Sequence, residues 1–313
     1  MTHPEESASM EFMTDLHRDS SGVHSRAAAA VQAADATARA ARVKVREVGS
    51  LSDLEAVYRL YNDIWRPDPK NPPVTTELLR AFSKSGNYVA GAFDGDELVG
   101  ACVGFFGAPA DEALHSHIAG VSGTARGRNV GFALKVHQRA WSMLRGVSAV
   151  AWTFDPLVRR NAYFNLVKLA AQPEEYLTNF YGGMHDSINA GDDSDRLLVH
   201  WHLEDPSVVA ACRGTTTALD AETARAAGAA IVLGASALGG PVAGTLDAQT
   251  LLVAIPADVE RLRSSDPGCA KEWRIAVREV LGSLLADGAR VTGFDRAGWY
   301  VLHRPDPTNK DRP

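Results

Sequence analysis

The chain has 313 residues, 45% of them apolar, enough to bury a substantial core and to fill two domains. Its 32 basic and 38 acidic residues leave a formal charge of −6, which argues against an extended nucleic-acid footprint. No apolar run has the length of a signal peptide or a membrane span, and Cys102, Cys212 and Cys269 are odd in number and far apart, with no C-x-x-C pair. The expectation is a cytoplasmic protein without disulfides, structural zinc or membrane partner.

In chain order, residues 1–25 are polar and mixed and read as disordered, while Arg26 to Arg42 is mostly alanine and reads as a marginal helix with little to bury. Together residues 1–42 form an expected extension. A strand starts at Val43. Helical patterns over Leu51–Tyr61 and Thr75–Ser83 follow, separated by the proline-rich stretch Trp65–Pro73. Tyr88–Phe93 and Leu98–Phe106 flank Asp94-Gly95-Asp96, a strong hairpin signal. A strand through His117–Ser122 runs into the loop Ala125–Gly131, then into a helix with Val130, Ala133, Leu134, His137, Trp141 and Leu144 on one stripe. A buried strand over Val147–Phe154, a helix over Asn161–Leu169 and a strand over Asp195–Leu203 complete this region. Beyond Asp205, Ala221–Gly244 reads as loosely specified. A strand Leu251–Ile255, a helix Cys269–Leu285 and a hairpin of Arg290–Phe294 with Gly298–Leu302 come after it. The pattern predicts an α/β fold, with a mixed central sheet flanked by helices over residues 43–205. A small C-terminal α/β subdomain over 206–313 should pack on, or continue, that sheet.

The chemistry centres on the loop before the long helix. Gly127 and Gly131 sit where that helix begins, and its first N–H groups lack intrahelical partners, so the positive end of the dipole can hold an anion. Arg126 and Arg128 would add charge-assisted bonds to a phosphate. Asn129 is the non-glycine residue that best tolerates a left-handed backbone. The spacing fits neither the three-glycine dinucleotide fingerprint nor a P-loop.

Arg126 to Gly131 resembles motif A of the GNAT superfamily of acyl-CoA-dependent N-acyltransferases, [QR]-x-x-G-x-[GA], with Asn129 in place of the first glycine. The order of predicted elements from Val43 to Leu203 is similar to that family's order. The resemblance implies that Arg126, Gly127, Arg128, Asn129, Val130 and Gly131 hold the pyrophosphate of acyl-CoA. It also implies that Val121 or a neighbour bonds the thioester carbonyl or the pantetheine arm, and that an amine attacks the thioester directly. Gly120 would mark a bulge or a close ligand approach. The family's usual tyrosine acid is displaced: aligning Asn161 puts Lys168 there, and aligning Lys168-Leu169 puts Leu166 there. Tyr163 is then the expected acid, with Tyr176 and Tyr181 as alternatives, and Asn161 joins the cosubstrate-binding set. The phrases Trp152–Leu157, Arg160–Leu166, Asn179–Gly182 and Ser194–Leu197, with Trp201, resemble the subfamily that includes amino-acid N-succinyltransferases partnered with N-acylamino acid racemases.

Several residues remain open to two readings. Asp155, at a strand end, either holds an acceptor ammonium or caps the next helix. Asn161 and Asn165 lie four apart on one helical face and point either at the acceptor site or at solvent. His117 is a candidate water-linked base. His115 and His117, like His200 and His202, share a strand face, but neither pair has a third ligand in view, so no metal is expected. The stretch Asp186–Asp195 reads as an acidic surface loop, with Asp195-Arg196 as an internal ion pair. The predicted activity is transfer of an acetyl or succinyl group from acyl-CoA to the amine of a small molecule such as an amino acid. A homodimer is an admissible assembly. The alternative is a non-catalytic CoA-sensing or partner-binding module of the same fold.

Overall fold

The computed structural model describes residues 24–68, 72–108, 113–182, 192–216 and 219–305. The expected disorder of the N-terminal tail falls almost wholly outside these residues, as does most of the expected acidic loop over Asp186–Asp195. Helix α1 covers residues 24–40, with Ala27, Ala30 and Ala34 buried at helical spacing. The composition suggested a helix with little to bury; the small side chains instead let its backbone sit close on the main apolar core, and Ala41 continues that contact. Arg26 pairs with Glu204 at 2.8 Å and ties the helix to the residues after the first sheet.

The first sheet contains β1 (Lys44–Glu47), β2 (Tyr88–Asp94), β3 (Glu97–Phe106), β4 (Ala113–Val121), β5 (Ala149–Phe154), β6 (Gln172–Leu177) and β7 (Arg196–His202), in the order β1-β2-β3-β4-β5-β7-β6. Only β4 and β5 pair in parallel; the other neighbours are antiparallel, so the sheet is mixed. Helices α2 (Leu51–Trp65) and α3 (Thr76–Lys84) cover one face, and α4 (Val130–Met143) covers the other. The first two are each opened by a hydroxyl cap. Ser50 Oγ accepts from the Asp53 N–H and Thr75 Oγ1 from the Leu78 N–H, both at 3.2 Å. The hairpin turn between β2 and β3 places Gly95 at φ 60°, where a glycine carries no steric cost.

After β5 the chain forms α5 (Arg159–Ala162) and continues as a π-turn over Tyr163–Lys168. The Leu169 N–H donates to the Phe164 carbonyl at 3.0 Å, a five-residue step. The helix expected over this stretch is present but wound wider, which changes where its side chains point.

Residues 206–305 form α6 (Pro206–Cys212), α7 (Ala221–Ala226), α8 (Val259–Ser265) and α9 (Pro267–Ala286) with a second, five-stranded sheet. Its strands are β8 (Ala230–Ala235), β9 (Pro241–Ala243), β10 (Thr250–Ala254), β11 (Arg290–Asp295) and β12 (Trp299–His303), in the order β11-β12-β10-β8-β9. It does not continue the first sheet. The stretch expected to be loosely specified is ordered as α7, β8 and β9: Asp220 caps α7 by accepting from the Thr223 N–H at 2.9 Å, and β8 pairs in parallel with β10. Its alanines and glycines carry little hydrophobic periodicity, so long-range pairing sets its structure. Helix α9 and strand β11 pack on β6, and one apolar cluster runs through both sheets.

Candidate active site

Strands β4 and β5 pair at only three positions, Ala113 with Ala149, Leu114 with Val150 and His115 with Ala151. Beyond these, residues 116–121 of β4 and 152–154 of β5 have no partner in each other, and the sheet opens as a wedge toward their C-terminal ends. An open sheet offers a ligand crevice at such a point.

Helix α4 begins at the end of β4. Asn129 adopts φ 61°, ψ 23°, the left-handed turn expected of it, and Gly127 lies at φ 81°. Asn129 makes no side-chain cap, so the first N–H groups of α4 have no side-chain partner from that residue. A Cβ added at Gly131 would meet only Val121 Cγ2 at 3.7 Å and Phe164 Cζ at 4.0 Å, so the space over the helix start is open and Val121 adjoins it. Val130 is buried in the core and offers only its backbone to this site.

The cations around that helix start differ from those expected. Arg126 is exposed and lines a cleft of about 340 Å³ with Asp63, Arg66, Ser122 and Gly123. Arg128 is committed elsewhere: it donates to Asp94 Oδ2 at 2.7 Å and to the carbonyls of Ala41 and Arg42 at 3.3 and 3.0 Å, fastening the β2–β3 turn to the end of α1. Lys168 takes its place, donating to Asn129 Oδ1 at 2.5 Å. Burial and then the neighbouring Arg296 lower the Lys168 pKa. Arg296 comes from the β11–β12 turn and lies 5.0 Å over the Tyr163 ring. Local sequence does not announce Arg296, because only tertiary structure brings the β11–β12 turn against Tyr163.

On the α2 side of the sheet, β4 carries an extra residue: Val103 faces Ile118 and Gly104 faces Ser116, so His117 is bulged. The bulge therefore lies three residues before Gly120, where the glycine had suggested it. Gly120 answers to packing, since a Cβ there would lie 2.7 Å from Trp65 Cη2 and 2.8 Å from Ile64 Cδ1. His117 and His115 share a cluster with Phe105, at ring separations of 5.8 and 4.9 Å from it. Desolvation lowers the His117 pKa, and a hydrogen bond to the Pro73 carbonyl opposes that. His115 is pushed down to about 4 by burial and by His117 and Lys135. Both rings are therefore neutral at pH 7.

Lys135 marks the fork of the wedge. Its Nζ donates to Ser116 Oγ at 3.0 Å and to Gln138 Oε1 at 2.7 Å, and lies 3.6 Å over the Trp152 ring. Ser116 and Trp152 are the first residues past the last β4–β5 pair. The ammonium is buried with no carboxylate bonded to it among the described residues, and desolvation lowers its pKa to about 8.

Two expected acceptor contacts are redirected. Asp155 is buried, and its carboxylate accepts from Arg263 Nη2 at 2.6 Å, from both Arg274 terminal nitrogens at 2.9 Å and from the Leu157 N–H at 2.9 Å. It holds guanidinium groups of α8 and α9 in place of an acceptor ammonium. Asn165 is buried and accepts from Trp152 Nε1 at 3.1 Å, because the π-turn swings it inward, away from half-buried Asn161. The carboxylate of Asp195 pairs with Arg278 at 2.8 Å, while Arg196 donates to the Asp195 backbone carbonyl at 2.9 Å, so the ion pair expected between neighbours is made across the fold.

Among the tyrosines, Tyr163 is half-buried against the main apolar core, and Tyr176 donates to Asp195 at 2.8 Å. Burial and that carboxylate raise the Tyr176 pKa, so its proton is held. Tyr181 is exposed, with its hydroxyl 3.3 Å from Thr153 Oγ1, on the part of β5 that has left β4. No helix among the described residues is long and apolar enough to cross a membrane.

No protein-family model matches the chain, and no curated protein matches it. Among solved structures, the chain is similar to an acetyltransferase of the GNAT family from Streptococcus pneumoniae (13% identity, TM-score 0.42, 50% of this chain and 97% of that one). It is also similar to an N-acetyltransferase from Staphylococcus aureus Mu50 (16%, 0.41, 52% and 99%). A third likeness is to the ribosomal-protein-S18-alanine N-acetyltransferase of Escherichia coli (11%, 0.40, 51% and 94%).

Proposed function

We propose that the chain is an acyl-CoA-dependent N-acyltransferase that moves an acetyl or succinyl group onto the amine of a small molecule, an amino acid in the first instance. The observation that carries this reading is the parting of β4 and β5 after three residue pairs, with the open start of α4 beside the gap. The wedge admits a narrow pantetheine arm between two strand edges, and the helix start with Arg126, Lys168 and Arg296 suits a pyrophosphate.

In the proposed reaction the amine nitrogen attacks the thioester carbon, the C–N bond forms and the C–S bond breaks. The nitrogen loses a proton and the departing sulfur gains one. Backbone N–H groups on the β5-facing edge of β4, around Val121 where β5 has parted from it, polarise the carbonyl. His117, neutral at pH 7 and set on the bulge, accepts the amine proton directly or through a water. Tyr163, adjacent in sequence to the Phe164 that borders Gly131, returns one to sulfur. Phe105, His115 and Pro73 border the acceptor's side of β4.

Thiol release from acetyl-CoA and succinyl-CoA, measured across D- and L-amino acids, simple amines and a lysine peptide, tests the proposal. Turnover that falls at least about a hundredfold in His117→Ala, with acyl-CoA affinity kept, supports it. Binding of acyl-CoA with no turnover on any amine would refute it in favour of a sensing module.

A further inference from the structure

The pair His200 and His202 is joined by a third donor that the sequence does not reveal. Strand β7 alternates: Val199 and Trp201 point into the core under α4, so His200 and His202 lie on the opposite face. The neighbouring edge strand β6 is in register with β7 at Gln172–His200 and Pro173–Val199. It then slips, with Glu175 facing Leu198. Glu174 is the extra residue of that bulge, the device by which a strand re-aims one side chain. Its Oε1 lies 2.9 Å from His200 Nδ1 and 3.9 Å from His202 Nε2, and the three donor atoms fall within 4.8 Å of one another.

We propose that Glu174, His200 and His202 form a binding site for a divalent transition cation of the zinc class. Ligand bonds of about 2.0–2.2 Å in a tetrahedral site put neighbouring donor atoms about 3.4 Å apart. The two observed separations bracket that value, so small side-chain rotations close the site. Two imidazoles and one carboxylate are the donor set that borderline cations prefer over calcium or magnesium, which take oxygen ligands. Three protein ligands leave a fourth position to water. The side chains are 43%, 33% and 56% exposed for Glu174, His200 and His202, so a cation reaches them from solvent. The bound ion would clip edge strand β6 to β7 and hold the surface on which α9 packs. This site is separate from the wedge, and its test does not depend on acyltransfer.

The test uses the full chain, stripped with a chelator and dialysed, then titrated with Co²⁺ in a spectrophotometer and with Zn²⁺ in a calorimeter. One equivalent of Co²⁺ should bring up an intense visible d–d band that Zn²⁺ bleaches, and Zn²⁺ should raise the melting midpoint as its concentration rises. His200→Ala and His202→Ala should each weaken binding at least about tenfold, since loss of groups merely behind a ligand already does so. Glu174→Gln should weaken it too, and His303→Ala, an exposed histidine on β12, should not. The proposal is overturned if the stripped chain shows no saturable Co²⁺ or Zn²⁺ binding, or if binding survives in both histidine variants.

Discussion

Replacing Asp155 by Asn keeps the shape of the side chain and removes its charge. In the native fold Arg263 and Arg274, with side chains 3% and 1% exposed, share two carboxylates, Asp155 and Asp192. The variant leaves two buried guanidinium groups to divide Asp192 between them and turns an amide NH₂ toward nitrogen donors. Breaking a buried pair by removing one partner costs about 3–5 kcal/mol, because the surviving charge keeps its desolvation penalty. A second, smaller quantity can be read from titration. The Asp155 carboxyl lies at about 2 against an ordinary 3.8; burial opposes this lowering, and the two arginines outweigh it. Its contribution is therefore present above pH 4 and is lost as pH falls through about 2, amounting to roughly 2 kcal/mol. The destabilisation of D155N at pH 7 should thus exceed what acid alone removes through this group. Urea unfolding of the wild type, D155N, R274M and D155N/R274M, a full double-mutant cycle, checks it. A loss under about 1 kcal/mol in D155N would refute the reasoning, as would a double variant no more stable than D155N.

The remaining predictions concern the wedge and its supports. Arg126→Ala combined with Lys168→Ala should weaken acetyl-CoA binding at least about tenfold by calorimetry, whereas Arg128→Ala should lower the melting midpoint with little change in affinity. Lys135, held near pH 8 in the fold against an ordinary 10.5, keeps its proton to higher pH in the unfolded chain. Wild-type stability should therefore rise between pH 8 and 10.5, and Lys135→Met should abolish that rise in denaturation curves. Gly120→Ala should cost about 1–3 kcal/mol by overpacking against Trp65 and Ile64, read as a lower melting midpoint.

Much of the first sheet is legible in the sequence because local signals coincide there. Asp94-Gly95 fixes a hairpin, the stripe from Val130 to Trp141 fixes α4, and the need for a left-handed residue at Asn129 is met as chemistry suggests. What local reading misses is decided by distant partners. Nothing near Asp155 announces that α9, more than a hundred residues later, supplies its counter-charges. Arg128 looks available for phosphate until Asp94 and the end of α1 are brought beside it. Asn165 follows helical spacing from Asn161, yet the wider π-turn breaks that spacing. Strand β6 begins Gln-Pro-Glu-Glu and shows no alternation, since it is an edge strand defined by its bulge.

The β11–β12 turn gives the second sheet a role in where the molecule can be cut. Arg296 reaches the Tyr163 ring, and Arg159 donates back to the Ala297 carbonyl at 3.1 Å, so the turn and the helix after β5 hold each other in place. A truncated chain ending near residue 205 would keep the wedge strands but forfeit the cation over Tyr163 and the two arginine counter-ions of Asp155. Grafting the first sheet onto another protein would therefore transfer the cleft without its full charge, and any useful chimera must carry the second hairpin along.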